Sequence, residues 1–139
     1  MRITVETVVK APIARVWDAW NNPADIQQWN APQDDWHTTR SAVDLREGGR
    51  FSARMEAKNG SAGFDFEGTY TRVVPKQAID FRMSDGRDVK IEFVERPGEV
   101  LVKETFDTET ENTPELQRRG WQAILDNFAR HVEAKRLAG

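Results

Sequence analysis

TPELQRRGWQAILDNFARHVEAKRL, residues 113–137, is the stretch on which the fold turns. Thr113, Pro114 and Glu115 make a helix start: a hydroxyl to cap, a proline in the first turn and an acid at the positive end of the helix dipole. The helix should run to about Arg136 or Leu137, on the order of 35 Å at ~1.5 Å per residue. At about 100° per residue, Trp121, Ile124, Leu125, Phe128 and Val132 fall in one stripe, with Gln117 inside it. Gly120 interrupts the helix at about 1 kcal/mol relative to alanine, which predicts a close approach by another element.

Working outward, the chain before this helix is dominated by strand-like runs. Ile3 and Val5 alternate with polar residues, the phase shifts around Val8 and Val9, and a first strand should end near Lys10. Pro12 then opens a helix whose Ile13, Val16, Trp17 and Trp20 share a face, and Asn21-Asn22-Pro23 stops it. A second short helix is expected over 24–29, before Asn30-Ala31-Pro32. From residue 36 to about 106, six short runs are separated by Gly48-Gly49, Asn59-Gly60, Pro75-Lys76, Asp85-Gly86 and Pro97-Gly98. Asp-Gly supplies the positive φ of a tight hairpin, and Pro-Gly suits a type II turn. Alternation gives these strands one apolar face: Phe51, Ala53 and Met55; Phe64, Phe66 and Tyr70; Ile79, Phe81 and Met83; Val89, Ile91 and Phe93.

One helix with a single apolar stripe cannot cover seven strands unless the sheet curls around it. The expected fold is therefore α+β, in the order of the helix-grip fold: a curved antiparallel seven-stranded sheet wrapped around a long C-terminal helix, with two short helices after the first strand. Residues 1–139 suit a single domain. Such a grip, with large aromatic side chains on a curved wall, leaves room for an apolar ligand pocket.

The last strand, VLVKETF at 100–106, carries the sharpest chemical signal. Glu104 shares its phase with Val100, Val102 and Phe106, so its carboxyl should project with them. In an apolar cavity desolvation would raise its pKa and suit it to act as general acid, base or ligand anchor. A strand end reached by water, or a bulge that turns it outward, is the competing reading. Tyr70 and Gln117 would add hydrogen-bonding groups from a strand and the helix, unless Gln117 sits in solvent at the cavity mouth. The lining expected is Phe51, Met55, Phe66, Tyr70, Phe81 and Met83 from the middle strands, Ile91, Val102 and Glu104 from the last two, and Gln117, Trp121 and Phe128 from the helix. Trp17, Trp20 and Trp29 suit core packing or a lid.

Composition narrows the partners. A formal charge of −3 with mixed signs offers no basic footprint for nucleic acid, and no stretch is long and apolar enough for membrane insertion. Without cysteine there is no thiolate nucleophile and no cysteine-ligated metal, and a cytoplasmic chain is expected. His37 with Asp34 and Asp35 lacks the spacing of a metal site, and His131 lies at the flank of the helix stripe, so no metal is expected. Gly48-Gly49 has no lysine and hydroxyl at P-loop spacing, and no cofactor is expected. Asp44 and Arg46 beside those glycines read as an ion pair or hydrogen bonds at a bend, with the shaping of an entrance as the functional alternative.

The order AP, VWDAW, Pro23, Trp29, VDLREGGRF, GTY, Pro75, ETF and GW resembles the START-like superfamily, known as SRPBCC. Within it the chain is most similar to the branch related to the activator of the ninety-kilodalton heat-shock-protein ATPase. The resemblance implies a helix-grip fold with an internal cavity, used across the superfamily for lipids, hormones, polyketides and other apolar molecules. Many members bind without catalysis, some cyclise polyketides, and the eukaryotic co-chaperones contact a large partner through an architecture that includes an additional amino-terminal domain, for which 139 residues leave no room. Met83 stands where many members have tryptophan. The expectation is a module that binds a small apolar molecule. Its rivals are a polyketide cyclase or aromatase-like enzyme, with Glu104 as acid or base and Tyr70 orienting a carbonyl, and a protein-interaction module with a filled core. A chaperone partner is permitted but unsupported, as is a homodimer through an exposed sheet edge.

Overall fold

A computed structural model describes residues 1–31 and 34–138. The elements run β1 (Arg2–Val9), α1 (Ile13–Asn21), α2 (Pro23–Trp29), β2 (Trp36–Val43), β3 (Arg50–Ala57), β4 (Gly63–Val74), β5 (Ala78–Met83), β6 (Asp88–Arg96), β7 (Glu99–Asp107) and α3 (Pro114–Ala138). All seven strands join one antiparallel sheet in the order β1-β7-β6-β5-β4-β3-β2. The helix-grip order read from the sequence is the observed one.

Local chemistry accounts for the element ends. Thr113 Oγ1 accepts from Leu116 N at 3.2 Å, and Asn22 Oδ1 accepts from Ala24 N at 2.9 Å, each supplying an acceptor to a helix start. Pro12 stands just outside α1, where its carbonyl accepts from the amides of Arg15 and Val16. Gly86 and Gly98 take φ of +92° and +73° in the β5–β6 and β6–β7 turns, which glycine adopts without strain. At the β4–β5 turn the left-handed residue is Lys76 (φ +62°). The phase shift expected around Val8 and Val9 does not occur. β1 keeps a single phase to its end, with Val9 buried and Val8 exposed, because it pairs with β7 in unbroken register from Arg2↔Asp107 to Val9↔Val100.

Register shifts between Thr38 and Arg40 and between Tyr70 and Arg72 mark bulges, which bend a strand and raise its twist. α3 lies against β1 and closes its open edge: Arg118 Nη1 donates to Thr4 O and Gln122 Nε2 to Glu6 O, both at 3.0 Å, while Glu133 Oε2 accepts from Lys10 N at 2.9 Å. A homodimer through that edge would have to displace these bonds. α2 packs on β2 at the other end of the sheet, and is pinned to α3 by Asp25 Oδ1 and His131 Nε2 at 2.8 Å and by Asn127 Nδ2 donating to Ala31 O. Trp20, Trp29 and Phe128 pack together with ring centroids 4.9–5.0 Å apart, and Trp29 Nε1 donates to Ala19 O. No helix among the described residues is long and apolar enough to cross a membrane.

Candidate functional site

Between α3 and the concave sheet lies a cavity of about 950 Å³. That is near the upper end of the range usual for small-molecule sites, about 300–1,000 Å³. Its walls are built by strand alternation: Phe51, Ala53 and Met55 from β3, Phe64, Phe66 and Tyr70 from β4, Ile79 and Phe81 from β5. Trp121 and Ile124 of α3 face them, and Trp20, Ile26 and Trp29 close the side toward α1 and α2. The aromatic wall is continuous, since Phe51 meets Phe81, Tyr70 and Phe66 at 4.7, 5.2 and 5.8 Å, and Phe66 reaches Trp121 at 6.2 Å. Trp121 is stacked on Phe106 at 4.1 Å with planes 8° apart, so the indole has a fixed seat. Phe64 and Leu116 are large exposed apolar residues that also line the cavity.

Glu104 projects into this space. β7 is a central strand, with Val5 of β1 and Ile91 of β6 paired on either side of Glu104. Only 6% of the residue is exposed, which decides between the two sequence readings: no bulge turns it outward and no open strand end wets it. Among the described residues no group hydrogen-bonds its carboxyl, and burial alone pushes its pKa up to about 8. An uncharged carboxylic acid facing an apolar cavity is therefore the dominant form at neutral pH. The phenol of Tyr70, on β4, is likewise without a hydrogen-bond partner, and its pKa is raised by burial first and by the charge of Asp44 second. Its backbone is held by the double glycine, as Tyr70 N donates to Gly49 O (2.9 Å) and Gly48 N to Tyr70 O (2.8 Å). Asp44 and Arg46 form the expected ion pair at that bend, 3.0 Å apart. Ser41 Oγ in the β2 wall is fully buried and has no hydrogen-bond partner among the described residues.

The twelve lining residues expected from the sequence divide. Phe51, Met55, Phe66, Tyr70, Phe81, Glu104, Gln117 and Trp121 do line the cavity; Met83, Ile91, Val102 and Phe128 are buried elsewhere in the core. They carry the correct phase, but the space beside them is filled. Nor do Glu104, Tyr70 and Gln117 form one polar group. Gln117 Oε1 accepts from Glu109 N at 2.9 Å, and its Nε2 donates to the carbonyls of Asn112 (2.8 Å) and Glu109 (3.1 Å). Its amide thus organises the β7–α3 loop, which the sequence showed only as an acidic run. Gly120 also departs from expectation. A Cβ there would meet nothing within 4 Å, and the residue lines the cavity, so its missing side chain widens the cavity and accommodates no neighbouring element. The Asp25–His131 pair was equally invisible, because its partners stand 106 residues apart.

The family described as Activator of Hsp90 ATPase homolog 1-like protein matches residues 10–133. The chain belongs to this family. AHSA1-like proteins fall within the START-like, or SRPBCC, superfamily. A solution structure of an AHSA1-like protein from Aeromonas hydrophila is 54% identical, covering 99% of this chain and 95% of that one, with a TM-score of 0.92. A protein from Cytophaga hutchinsonii is 40% identical over 99% of this chain and 96% of its own, at a TM-score of 0.83. One from Nitrosomonas europaea shares the fold at a TM-score of 0.83 with 16% identity, covering 99% of this chain and 97% of its own. No curated protein matches this AHSA1-like chain.

Proposed function

We propose that this AHSA1-like domain holds a small, mainly apolar molecule between α3 and the curved sheet. The observation that carries this reading is the cavity of about 950 Å³, walled by aromatic and aliphatic side chains around one unpartnered carboxyl. Ligand sites have this composition, many apolar groups with few polar ones to fix orientation. Titration with the neutral fluorophore N-phenyl-1-naphthylamine tests it. Wild-type protein should give a saturable enhancement, and Gly120→Leu, whose side chain enters open space, should remove it while leaving the protein folded. Absence of saturable binding to wild type would defeat the proposal, and so would full binding by the plugged variant. Native mass spectrometry of freshly purified protein, followed by extraction, would identify a retained molecule.

A second reading has its own support. A carboxyl with a pKa near 8 is poised for general acid or base work at neutral pH, as a cyclase or aromatase-like enzyme would require. Unchanged turnover of a candidate polyketide substrate by Glu104→Gln would remove it. The family's description also names activation of the Hsp90 ATPase. An interaction module has no need of an open interior, so this third reading is the weaker one here; co-precipitation of that chaperone from the native cell would revive it.

A further inference from the structure

The cavity's polar equipment specifies more than apolarity. A buried acceptor or donor left unpaired is expensive, on the order of 1–3 kcal/mol, so such a group in a ligand cavity marks where the ligand supplies a partner. Glu104 is this group: less than a tenth exposed, with no hydrogen bond to protein, aimed into the space. What it asks of a ligand depends on which charges reach it. On β1 and β6 its neighbours are Val5 and Ile91; Glu6, Lys90 and Glu92 take the opposite phase and are exposed, and Lys103 of β7 is on that face too. From α3, Arg118 bonds the Thr4 carbonyl, and Asp126 accepts from Gln122 at 2.9 Å. At the cavity margin Arg87 is paired with Asp85, Arg119 with Glu115, and Glu109 accepts from Asn112. Tyr70 remains an undissociated phenol. Among the described residues no cation is placed to hold Glu104 ionised, and no second acid competes for its proton.

Resting on the ligand-binding reading above, we propose that the molecule held here is uncharged and carries an accepting oxygen, such as a ketone or ester carbonyl, which takes a hydrogen bond from the protonated carboxyl of Glu104. Proton-linked binding follows from this geometry. The protonated acid donates, whereas the carboxylate can only accept and would face the carbonyl oxygen with like partial charge. Since burial raises the folded-state pKa to about 8, the donor is present through neutral pH and is lost as pH rises past that value. A ligand carrying a carboxylate would enter the apolar cavity without a counter-cation to offset its desolvation and should bind more weakly than the neutral ketone. Tyr70, on β4, is separated from Glu104 on β7 by β5 and β6, which leaves its phenol free for a second oxygen at the far end of a ligand of a few fused rings.

Matched probes separate this proposal from the one beneath it. Binding of 2-acetylnaphthalene and 2-ethylnaphthalene, which differ in one carbonyl, would be followed by tryptophan quenching at about pH 6.5 and about pH 9.5. The ketone should bind about tenfold or more weakly at the higher pH, where only a few per cent of an acid of this pKa stays protonated, and the hydrocarbon should be unaffected. In Glu104→Gln, whose amide still donates but does not titrate, ketone binding should lose its pH dependence and keep its advantage over the hydrocarbon. An identical response of both probes in wild type, or a surviving pH dependence in Glu104→Gln, would overturn the proton link. Tighter binding of a (2-naphthylmethyl)trimethylammonium probe than of the ketone, growing with pH, would overturn it in favour of an ion pair. Failure of every probe at both pH values would remove the cavity reading itself.

Discussion

Around β1, β7 and β6 the interior is solid, whereas beside β2 to β5 it is hollow, although both regions face the same helix. In the solid part, Val5, Val89, Ile91, Val102, Phe106, Leu125, Phe128 and Val132 are almost wholly buried, and α1 and α2 deliver Trp17, Trp20 and Trp29 to the gap that remains. In the hollow part, α3 presents Gly120 and Ala123, and the strands opposite offer Ser41, Ala42, Ser52 and Ala53. These small side chains lie among the aromatic ones and leave room between them, and α1 and α2 reach only the margin of the space, through Trp20, Ile26 and Trp29. An empty interior forfeits contacts that packing would supply, so a void of this size is compatible with stability because the neighbouring region is dense.

The contrast can be broken first by attacking the dense part. Phe128→Ala, which removes a fully buried ring packed on Trp20 and Trp29, should destabilise by about 3–5 kcal/mol in denaturant titration, while Phe66→Ala on the cavity wall should lose less than half as much. Equal losses would mean that the wall is as tightly packed as the core.

Next is the effect of Glu104, which reaches the cavity from a strand of the dense part. Its folded pKa of about 8 lies above the ordinary 4.5, so the folded state binds the proton more tightly than the unfolded state does. Its stabilising contribution is full below about pH 4.5 and is lost progressively as pH rises to about 8. Relative to Glu104→Gln, the wild type should therefore weaken across that window by an amount on the order of 3–5 kcal/mol, read from paired denaturation curves at several pH values. A flat difference would place the carboxyl in contact with water.

Smallest is Gly120→Ala. With nothing near the added methyl, the helix should gain about 0.5–1 kcal/mol, visible as a small rise in Tm. A loss would show that α3 needs the close approach that the bare sequence suggested.

Particular residues show how far the sequence carries. Alternation in VLVKETF placed Glu104 on the inner face, and burial of that face follows from Val100, Val102 and Phe106 being its companions. The same alternation put Ile91 and Val102 inward and could say no more, because phase reports a direction and says nothing of whether a neighbour waits at the end of it. Gln117 lay correctly within the helical stripe, yet its amide belongs to a loop whose path depends on the turn at 107–113.

What the chain's residues determined by themselves is local: the strand periods, the caps at Thr113 and Asn22, the left-handed glycines of the hairpins, and with them the order and type of every element. These rest on interactions between residues a few positions apart, which short-range pattern records. The location of the void, the burial and isolation of the Glu104 carboxyl, and the Asp25–His131 pin were decided only by tertiary structure. Each depends on how far apart three or more elements come to rest, and that spacing is set by the bulk of side chains distant in sequence.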